Sequence, residues 1–403
     1  MPGIPLSFFG ALRGSAVREA ARLRASPWDL ALISWVPLLA AALIWWIFSA
    51  GLPARLPIGV QDDDHSALSR QLVRMLDAAP GLAVAERYAD AAATEAALRR
   101  TEVYAVVQIP RDFSRDLKQG RAATITLLHN AQLGTHSGLI QRDVRTVAGT
   151  LSAGIEIGAR TKRGDSALAA RAAQEPIRAN TVTLFNTSSN YEQFLAAALI
   201  PALLHILAMT AGAWAVGREL RDGTVGEWLG TAGESRAPLG ATLGALLGKL
   251  LWPMASLGTV AALALLWLTA GRGWHPAGSL PWTLFALEVF LALSIALGAL
   301  AAALTRSLRT ALSATGFVTA PAFAFGGVGF PIVAMPWLAQ CWAKALPYTH
   351  YARVQIEQLQ MAAPLRHSLA TPLWMTVALL LMLAASTAFL ARAAGEPASW
   401  GKR

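Results

Sequence analysis

Long apolar runs alternate with polar stretches along this chain of 403 residues. A helix needs about 20 mainly apolar residues to cross the roughly 30 Å hydrocarbon core of a membrane. Six runs approach this length, and each predicts a membrane-spanning helix: Leu30–Gly51, Phe194–Val216, Leu250–Ala270, Pro281–Leu304, Ala311–Phe330 and Pro372–Leu390. Because the interval from Leu52 to Glu192 has no such run, the pattern predicts one large polar domain between the first span and the second.

The inserted segment, residues 52–193, alternates between the two-residue period of strands and the longer period of helices. We predict strands at Leu56–Asp62, Leu82–Tyr88, Val103–Ile109 and Ala123–His129, and helices at Ser66–Ala79, Ala91–Arg100 and Asp112–Gln119. This alternation indicates an α/β sandwich or open sheet. From Gly134 to about Ala179 the pattern turns helical, with a break near Gly164, which is typical of a helical hairpin.

The stretch before the first span, residues 1–29, places apolar side chains among arginines from Phe8 to Leu23. This pattern favours a helix lying in the cytoplasmic interface, with an ordinary basic leader as the alternative. The leader and the apolar run that follows are both long for a cleaved signal peptide. We therefore predict an uncleaved anchor at residues 30–51.

Composition and charge support a membrane protein with both termini in the cytoplasm. Hydrophobic residues make up 55% of the chain, charged residues only 14%, and the formal net charge is +10. Cytoplasmic loops are enriched in lysine and arginine, and an inside N-terminus places nearly every cluster beside a span end on that side. These clusters are Arg13, Arg18, Arg22 and Arg24; Arg218, Arg221, Arg236 and Lys249; Arg306 and Arg309; Arg392, Lys402 and Arg403. The basic residues form no single stripe with aromatics, so nucleic acid is not a predicted partner. The inserted domain is then extracytoplasmic, and residues 394–403 form a cytoplasmic tail.

Catalytic and metal signatures are weak throughout the chain. The single cysteine, Cys341, excludes an internal disulfide framework or thiolate metal site. The acidic run Asp62–Asp64 followed by His65 has metal-ligand types, but we favour Asp64 as the cap of the next helix. We therefore predict no catalytic residues and no metal site. His205 and Glu288 are ionisable groups inside predicted spans, which suits either a translocation path or gate, or a structural pair with neighbouring hydroxyls.

Glycines mark two further features. Gly240, Gly244 and Gly248 recur every four residues and offer a smooth face to another backbone. The same stretch is not a phosphate loop, because Leu250 stands where a magnesium-binding Ser or Thr is needed, so we do not expect this chain to hydrolyse ATP. Residues 326–347 are apolar yet repeatedly broken, which indicates either a re-entrant helical pair or a kinked span with an outer loop. The breaking residues are Gly326, Gly327, Gly329, Pro331, Pro336 and Pro347.

The polar segment after the second predicted span begins RELRDGTVGEWLG at Arg218. Its break at Gly223 and the turn that follows fit either a short helix that docks on another protein or a solvated loop with a helix cap.

Several short stretches along the chain form a recognisable series: Arg18-Glu19, VQDDDHS from Val60, AVVQIPRDFSRDLKQG from Ala105, LFNTSSNYEQF from Leu184, RELRDGT from Arg218, Gly248-Lys249, FGGVGFPIVAMP from Phe325 and LPYTHY from Leu346. In their order and spacing these stretches resemble type-2 ABC exporter permeases with one exported domain after the first span.

The resemblance implies a polytopic α-helical membrane protein with six transmembrane helices, a re-entrant segment at 326–347 and an inserted α/β extracytoplasmic domain. Residues 194–393 would form a five-span block with a cytoplasmic coupling loop at 218–249. In that loop Arg218, Glu219, Gly223, Thr224 and Glu227 would engage a separate ABC ATPase subunit, with Trp228 as the apolar anchor. The broken segment, with Gly326, Gly327, Gly329, Pro331 and Pro336, would border the path, and the ionisable His205 and Glu288 are the other candidates for the path or gate.

The resemblance also implies a bacterial inner-membrane permease that works as a homodimer or with a paralogous permease. This chain would carry no cofactor, since ATP and magnesium would be bound by the partner ATPase. A periplasmic adaptor as a further partner, and the substrate, are left open. The alternative is a non-transporting membrane scaffold or surface receptor whose exported domain is the working part.

Overall fold

The computed structural model describes residues 7–131, 134–164, 184–186, 188–231 and 237–401. The chain divides into two compact units. The membrane unit comprises Met1–Gly51 and Thr183–Arg403, and the inserted unit comprises Leu52–Val182.

The secondary-structure elements are numbered along the chain. The helices are α1 (Phe8–Ala25), α2 (Pro27–Ile33), α3 (Trp35–Phe48), α4 (Ala67–Asp77), α5 (Ala91–Arg99), α6 (Phe113–Lys118), α7 (Gly134–Lys162), α8 (Ala197–Arg221), α9 (Val225–Leu229), α10 (Leu239–Leu268), α11 (Leu280–Thr305), α12 (Leu308–Thr319), α13 (Ala322–Phe325), α14 (Trp337–Ala345), α15 (Pro347–Leu359), α16 (Leu365–Ser368) and α17 (Ala370–Ala394). The strands are β1 (Leu56–Asp62), β2 (Leu82–Arg87), β3 (Ala105–Ile109) and β4 (Thr126–His129). A π-helical turn, Glu192–Ala196, leads into α8.

The inserted unit is built on an open four-stranded sheet with the order β2-β1-β3-β4. Strand β1 runs parallel to β2 and β3, and β4 pairs antiparallel with β3. Each predicted strand and helix up to β4 is present, with bounds within about three residues of the prediction. The first arm of the predicted hairpin is α7, and its second arm lies outside the described residues.

Strand alternation divides the core of the inserted unit between two faces. Val107 and Ile109 share one face with side chains of α4 and α7, including Leu72 and Ile140. Val106 points the other way and packs with residues of α5 and the turn after it. Successive side chains of a strand point to opposite faces, so one short buried strand supports helices on both sides.

The first predicted span is a bent pair of helices. Helices α2 and α3 meet at an angle of 40° around Ser34. Pro37 explains the bend, because its ring has no N–H and collides with the carbonyl of the residue four positions earlier. That carbonyl, on Ile33, accepts a hydrogen bond from Ser256 Oγ of α10 at 2.6 Å.

Within the described residues, four helical stretches are long and apolar enough to cross a membrane, or five if the bent pair is one span. They are Glu192–Arg221, Leu239–Arg272, Leu280–Thr305 and Leu365–Ala394. The third predicted span therefore begins eleven residues earlier than its apolar run, inside the segment expected to be a loop.

The fifth predicted span, Ala311–Phe330, is not one continuous helix in the structure. Helix α12 ends at Thr319, and the four-residue α13 stops at Phe325. Pro321 cannot donate the backbone hydrogen bond that would continue α12, and Gly327 takes a left-handed conformation with φ +80°. Hydropathy detects the apolar character of this stretch but not its broken backbone.

Close backbone contact joins the central helices of the membrane unit. A Cβ at Gly212 of α8 would collide with the Ile295 carbonyl of α11, and one at Gly298 would collide with the Met209 carbonyl of α8. Small residues let helix backbones approach in this way, and packing contacts then replace the missing hydrophobic driving force.

Candidate functional site

The coupling segment, defined here as Arg218–Gly230, is a sharp turn followed by one short helix. Helix α8 ends at Arg221, and Gly223 then reverses the chain with φ +67°. The five-residue α9 follows and is capped by Gly230, again left-handed with φ +69°. Two glycines with positive φ thus bracket α9, because other residues adopt this conformation only at a cost.

The short helix has an inner and an outer side. Val225, Trp228 and Leu229 are buried in the membrane unit. Gly223 and Glu227 are exposed, and the Glu227 side chain has a relative exposure of 72%. The buried side chains therefore anchor the coupling segment in the membrane unit. Its outer side presents the carboxylate of Glu227, with a glycine at each end of the short helix.

The anchor is a buried cluster of charges, with Lys249 of α10 at its centre. Lys249 Nζ donates to Glu219 Oε1 and to Glu19 Oε2, each at 2.7 Å. Lys249 and Glu219 have no exposed side-chain surface, and Glu19 has 3%. Burying ions costs free energy unless each is paired and hydrogen-bonded, so these three groups depend on one another.

Arg218 extends the cluster to α2. Its Nη2 donates to Glu19 Oε1 at 2.9 Å, and its Nη1 donates to Asp29 Oδ2. Arg218 and Glu219 are adjacent residues of α8. Arg218 thus reaches carboxylates on α1 and α2, and Glu219 reaches the ammonium group of Lys249 on α10. We call Glu19, Asp29, Arg218, Glu219 and Lys249 the charge cluster.

Arginines of α1 complete the pairing at the cluster's outer edge. Arg22 and Thr224 both donate to the Glu219 carboxylate, and Arg18 Nη2 donates to it at 3.3 Å. Arg18 Nη2 also lies 3.4 Å from Glu227 Oε2. The arginine side chains of α1 therefore connect the buried cluster to the exposed outer side of α9.

Glycines on α10 bring α1 close enough for these contacts. A Cβ at Gly244 would collide with the Phe8 carbonyl, and one at Gly248 would collide with the Leu12 carbonyl. The smooth face expected from the four-residue glycine spacing thus receives α1 at these two positions, whereas the space at Gly240 is open.

Trp228, expected as an apolar anchor for another protein, is 5% exposed and packs inside the chain. Its Nε1 donates to Ser15 Oγ of α1 at 2.9 Å, and Lys249 Nζ lies 5.1 Å from its ring centroid. Glu219 and Arg218 are buried as well, while Gly223, Thr224 and Glu227 remain at the surface or half-buried. The residues matched by resemblance therefore separate into an internal set and an outward-facing set.

Sequence reasoning missed the partners of the coupling segment. Lys249 was expected only to mark the end of a span, and Glu19 and Asp29 had no assigned role. A usable signal existed, because a lysine within an apolar helix needs a buried counter-charge. Nothing in the sequence says which of the 24 acidic residues supplies it.

His205 is fully buried between α8 and α11. Ser294 Oγ donates to the Phe290 carbonyl at 2.7 Å, so it accepts from His205 Nδ1 at 2.8 Å. The imidazole also lies against Phe290, with ring centroids 5.3 Å apart. Among the described residues Nε2 has no hydrogen-bond partner.

Glu288 is half-buried on α11, the helix that also carries Ser294 and Phe290. Its carboxylate lies where a side chain at Gly258 of α10 would be. Gly258 thus provides the space for this carboxylate between two helices. The structure does not bring Glu288 and His205 into one hydrogen-bonded pair.

The broken segment after α13 leads into a buried helix, α15. Gly326 packs against Tyr348, and Gly329 has open space beside it. Pro331 precedes a 3-10 turn, and Pro336 precedes α14. The breaks fall where the sequence predicts them. The helix that enters the core, however, begins at Pro347, where the predicted segment ends.

Side chains of α15 bind backbone carbonyls at the start of α8. Gln355 Nε2 donates to the Ala197 carbonyl at 2.7 Å, and Tyr348 Oη donates to the Ala198 carbonyl at 3.0 Å. Pro201 explains the first contact, because it has no N–H to offer the carbonyl four residues earlier. In an apolar environment such a freed carbonyl must find another donor.

We expect Gln355→Leu to destabilise the membrane unit by about 1–3 kcal/mol, the cost of leaving a buried carbonyl without a donor. Pro201→Ala should restore a backbone N–H to Ala197, so Gln355→Leu should cost measurably less in that background. Denaturant unfolding of the four variants in mixed micelles measures this difference. An equal cost in both backgrounds would refute the assignment.

The acidic run of the inserted unit serves local structure. Asp62 accepts hydrogen bonds from the backbone of Asp64 and His65 and from Ser69 Oγ at 2.7 Å. The cap of α4 is Ser66, which accepts from the Leu68 and Ser69 amides. The expected capping by Asp64 is therefore wrong, because Asp64 instead accepts from the Ser114 amide at 3.3 Å. The described residues contain no group of three or more His, Cys, Asp or Glu placed to hold a metal ion.

Comparisons with known proteins give one result. A family model described as ABC-2 family transporter protein matches residues 27–392. Searches of curated proteins and of solved structures each find no match. The matched range includes α8 to α15 and all of the coupling segment.

Proposed function

The chain belongs to the ABC-2 transporter family, and from this membership we propose that it is an exporter permease whose coupling segment binds a separate cytoplasmic ABC ATPase. A multi-pass membrane protein of this family is a transporter subunit and not itself the catalyst. The observation that best supports ATPase binding is the form of the coupling segment: a short helix with an exposed acidic outer side, held by a buried charge cluster.

The anchoring suits the transmission of force. Glu219, Lys249 and Glu19 tie α8, α10 and α1 to one another over hydrogen bonds of 2.7 Å. A displacement of α9 by a partner would therefore move three helices together. In this proposal Gly223, Thr224 and Glu227 contact the ATPase, while Arg218, Glu219 and Trp228 hold the contact surface in place.

The remaining parts of the assignment follow the same proposal. Two copies, or this chain and a paralogous permease, form the pathway in a bacterial inner membrane with both termini cytoplasmic. Helices α12 and α13 together supply the fifth of six spans, and the inserted unit is extracytoplasmic. ATP and magnesium are held by the partner ATPase and no cofactor by this chain.

Two sets of residues are candidates for the path or gate. One is the pair of ionisable residues on the central helices, His205 and Glu288. The other is the broken segment, with Gly326, Gly327, Gly329, Pro331 and Pro336. The Nε2 of His205, which has no hydrogen-bond partner among the described residues, and the half-buried carboxylate of Glu288 support the first set.

We expect Glu227→Arg to reduce the amount of ABC ATPase that co-purifies with the tagged full chain by about tenfold or more, since an interfacial charge reversal costs several kcal/mol. The partner is identified by mass spectrometry as a nucleotide-binding protein, and ATP hydrolysis by the purified complex is measured alongside. Glu95→Arg, a charge reversal at an exposed position of α5, is the matched control.

Three outcomes separate the alternatives. Loss in Glu227→Arg with retention in Glu95→Arg supports docking at the coupling segment. Equal retention in both variants contradicts docking there. Absence of any nucleotide-binding partner from wild-type complexes favours a membrane scaffold or receptor.

A further inference from the structure

An apolar groove runs along the membrane unit between α3, α8 and α10. Its volume is about 330 Å³. All of the lining residues are apolar: Leu38, Ala41, Ala42, Trp45, Ile200, Leu263, Ala264, Trp267 and Leu268. Several are exposed on the protein surface, including Leu38 and Leu263 at 44% and 52%. In a membrane protein such a groove opens to lipid and not to water.

The length of the groove lies within one leaflet of a membrane. From Leu38 to Trp45 the lining of α3 extends over about 10 Å, at 1.5 Å per residue. This is shorter than the roughly 15 Å of hydrocarbon in one leaflet. Part of an extended acyl chain can therefore lie along the groove, and the polar groups at one end of the groove distinguish a phospholipid from the helix of a second copy.

One end of the groove carries a polar cap. Trp45 and Trp267 meet edge to face there, with ring centroids 5.3 Å apart. Trp45 Nε1 donates to Glu192 Oε1 at 2.9 Å, and the Arg272 guanidinium lies 5.6 Å from the centroid of the Trp45 ring. Tryptophans with an apolar body and a polar edge mark the boundary between hydrocarbon and head groups.

The outward-facing charge of this cap is positive. Arg272 Nε donates to Glu192 Oε1 at 2.8 Å, and Nη2 donates to Oε2 at 3.2 Å. The Glu192 side chain is 6% exposed, whereas that of Arg272 is 39% exposed. Arg272 Nη2 also donates to the Ser49 carbonyl at 3.5 Å, whereas within the part of the chain that the structure describes Nη1 donates to no other group. The Glu192 carboxylate thus fixes one side of the Arg272 guanidinium, and the other side is exposed. An exposed guanidinium N–H can donate a charge-assisted hydrogen bond to a phosphate oxygen.

We propose that this groove binds one acyl chain of a membrane phospholipid whose phosphate contacts Arg272. The lipid fills the space between the first span and α10 and joins the two along the groove. The site differs from the coupling segment and the broken segment, and it does not depend on the identity of the ATPase or the transported substrate.

The test uses the full chain in phosphatidylcholine vesicles that contain phosphatidylglycerol with a photoactivatable diazirine in one acyl chain. After illumination, mass spectrometry maps labelled residues. We expect labels at residues 38–45 and 263–268. Ala42→Trp, which fills the groove from an exposed position, should remove them. Ala255→Trp, an equal enlargement at an exposed position of α10 outside the groove lining, should leave them unchanged.

A second arm tests the phosphate contact. Arg272→Gln should lower labelling by the phosphatidylglycerol probe about tenfold, the equivalent of one charge-assisted hydrogen bond. Labelling by a diazirine diacylglycerol, which has no phosphate, should be unchanged by Arg272→Gln.

Equal groove labelling in wild type and Ala42→Trp would overturn the acyl-chain site. Equal loss with both probes in Arg272→Gln would overturn the phosphate contact. The labelling is also compared between vesicles that contain one protein chain and vesicles that contain several. Groove labelling that appears only when each vesicle contains a single chain would assign the groove to a second copy and overturn the proposal.

Discussion

Replacing Lys249 by methionine is expected to destabilise the membrane unit by about 3–5 kcal/mol, the usual cost of removing one partner from a buried ion pair. Lys249 Nζ separates two carboxylates, Glu19 and Glu219, at 2.7 Å from each. Without the ammonium group these buried anions repel one another and lose a shared donor. Denaturant unfolding in mixed micelles measures the change.

The control for this prediction is a double-mutant cycle. Glu219→Gln removes one of the two carboxylates, so Lys249→Met combined with Glu219→Gln should cost less than the sum of the single changes. Contacting residues commonly couple by about 0.5–3 kcal/mol in such cycles. Additive costs would show that the buried charges do not act together. ATP hydrolysis by the partner complex should become independent of transport in Lys249→Met if the cluster transmits force.

Replacing Gly248 by leucine is expected to displace α1 from α10, while the same change at Gly240 is expected to be tolerated. A side chain at Gly248 meets the Leu12 carbonyl and the Ala16 amide, both backbone atoms that cannot move alone. Nothing lies within 4 Å of a Cβ at Gly240. Overpacking typically costs about 1–3 kcal/mol, and here it also separates Glu19 from Lys249.

Limited trypsin digestion distinguishes the two variants. Helix α1 carries Arg13, Arg18, Arg22 and Arg24, and cleavage at these sites should be faster in Gly248→Leu than in wild type. Gly240→Leu should be cleaved at the wild-type rate. Similar digestion of both variants would contradict the docking of α1 through Gly248. Because Gly244 and Gly248 are one turn apart, Gly244→Leu should reproduce the effect.

These two predictions concern one mechanical unit. The glycines set the distance between α1 and α10, and the charges then fix their register. The coupling segment rests on both, through Trp228 and Ser15 on one side and Glu219 on the other. Charges in this position suit force transmission better than apolar contacts, because ion pairs at 2.7 Å fix both distance and direction.

Local sequence patterns were sufficient for much of the fold. Strand β1 has the predicted bounds, Leu56–Asp62, because a two-residue period followed by turn-forming residues identifies a strand and its end. The apolar runs located four long helices for a similar reason, since hydrocarbon requires a continuous apolar helix of set length. Local patterns failed at Ala311–Phe330, where apolar composition hid the break at Pro321 and Gly327.

The candidate site was predictable only in outline. The order of motifs identified the segment from Arg218, and the glycines at 223 and 230 account for its turns. Burial separated its residues: Glu219 and Trp228 face inward, and Glu227 faces outward. Glu227 and Trp228 are neighbours in the sequence, so only the positions of α1 and α10 could separate the two groups.

The sequence by itself determined the apolar runs, the strands and helices of the inserted unit as far as α7, the glycine face of α10 and the family. All of these depend on residues near one another in the chain. The tertiary structure alone decided which acidic residues pair with Lys249, which donors reach the carbonyls freed by Pro37 and Pro201, and where the apolar groove lies. Those contacts join residues up to 230 positions apart. Buried charges and freed carbonyls must be paired, but that requirement does not name the partner, which only the packing of the helices can do.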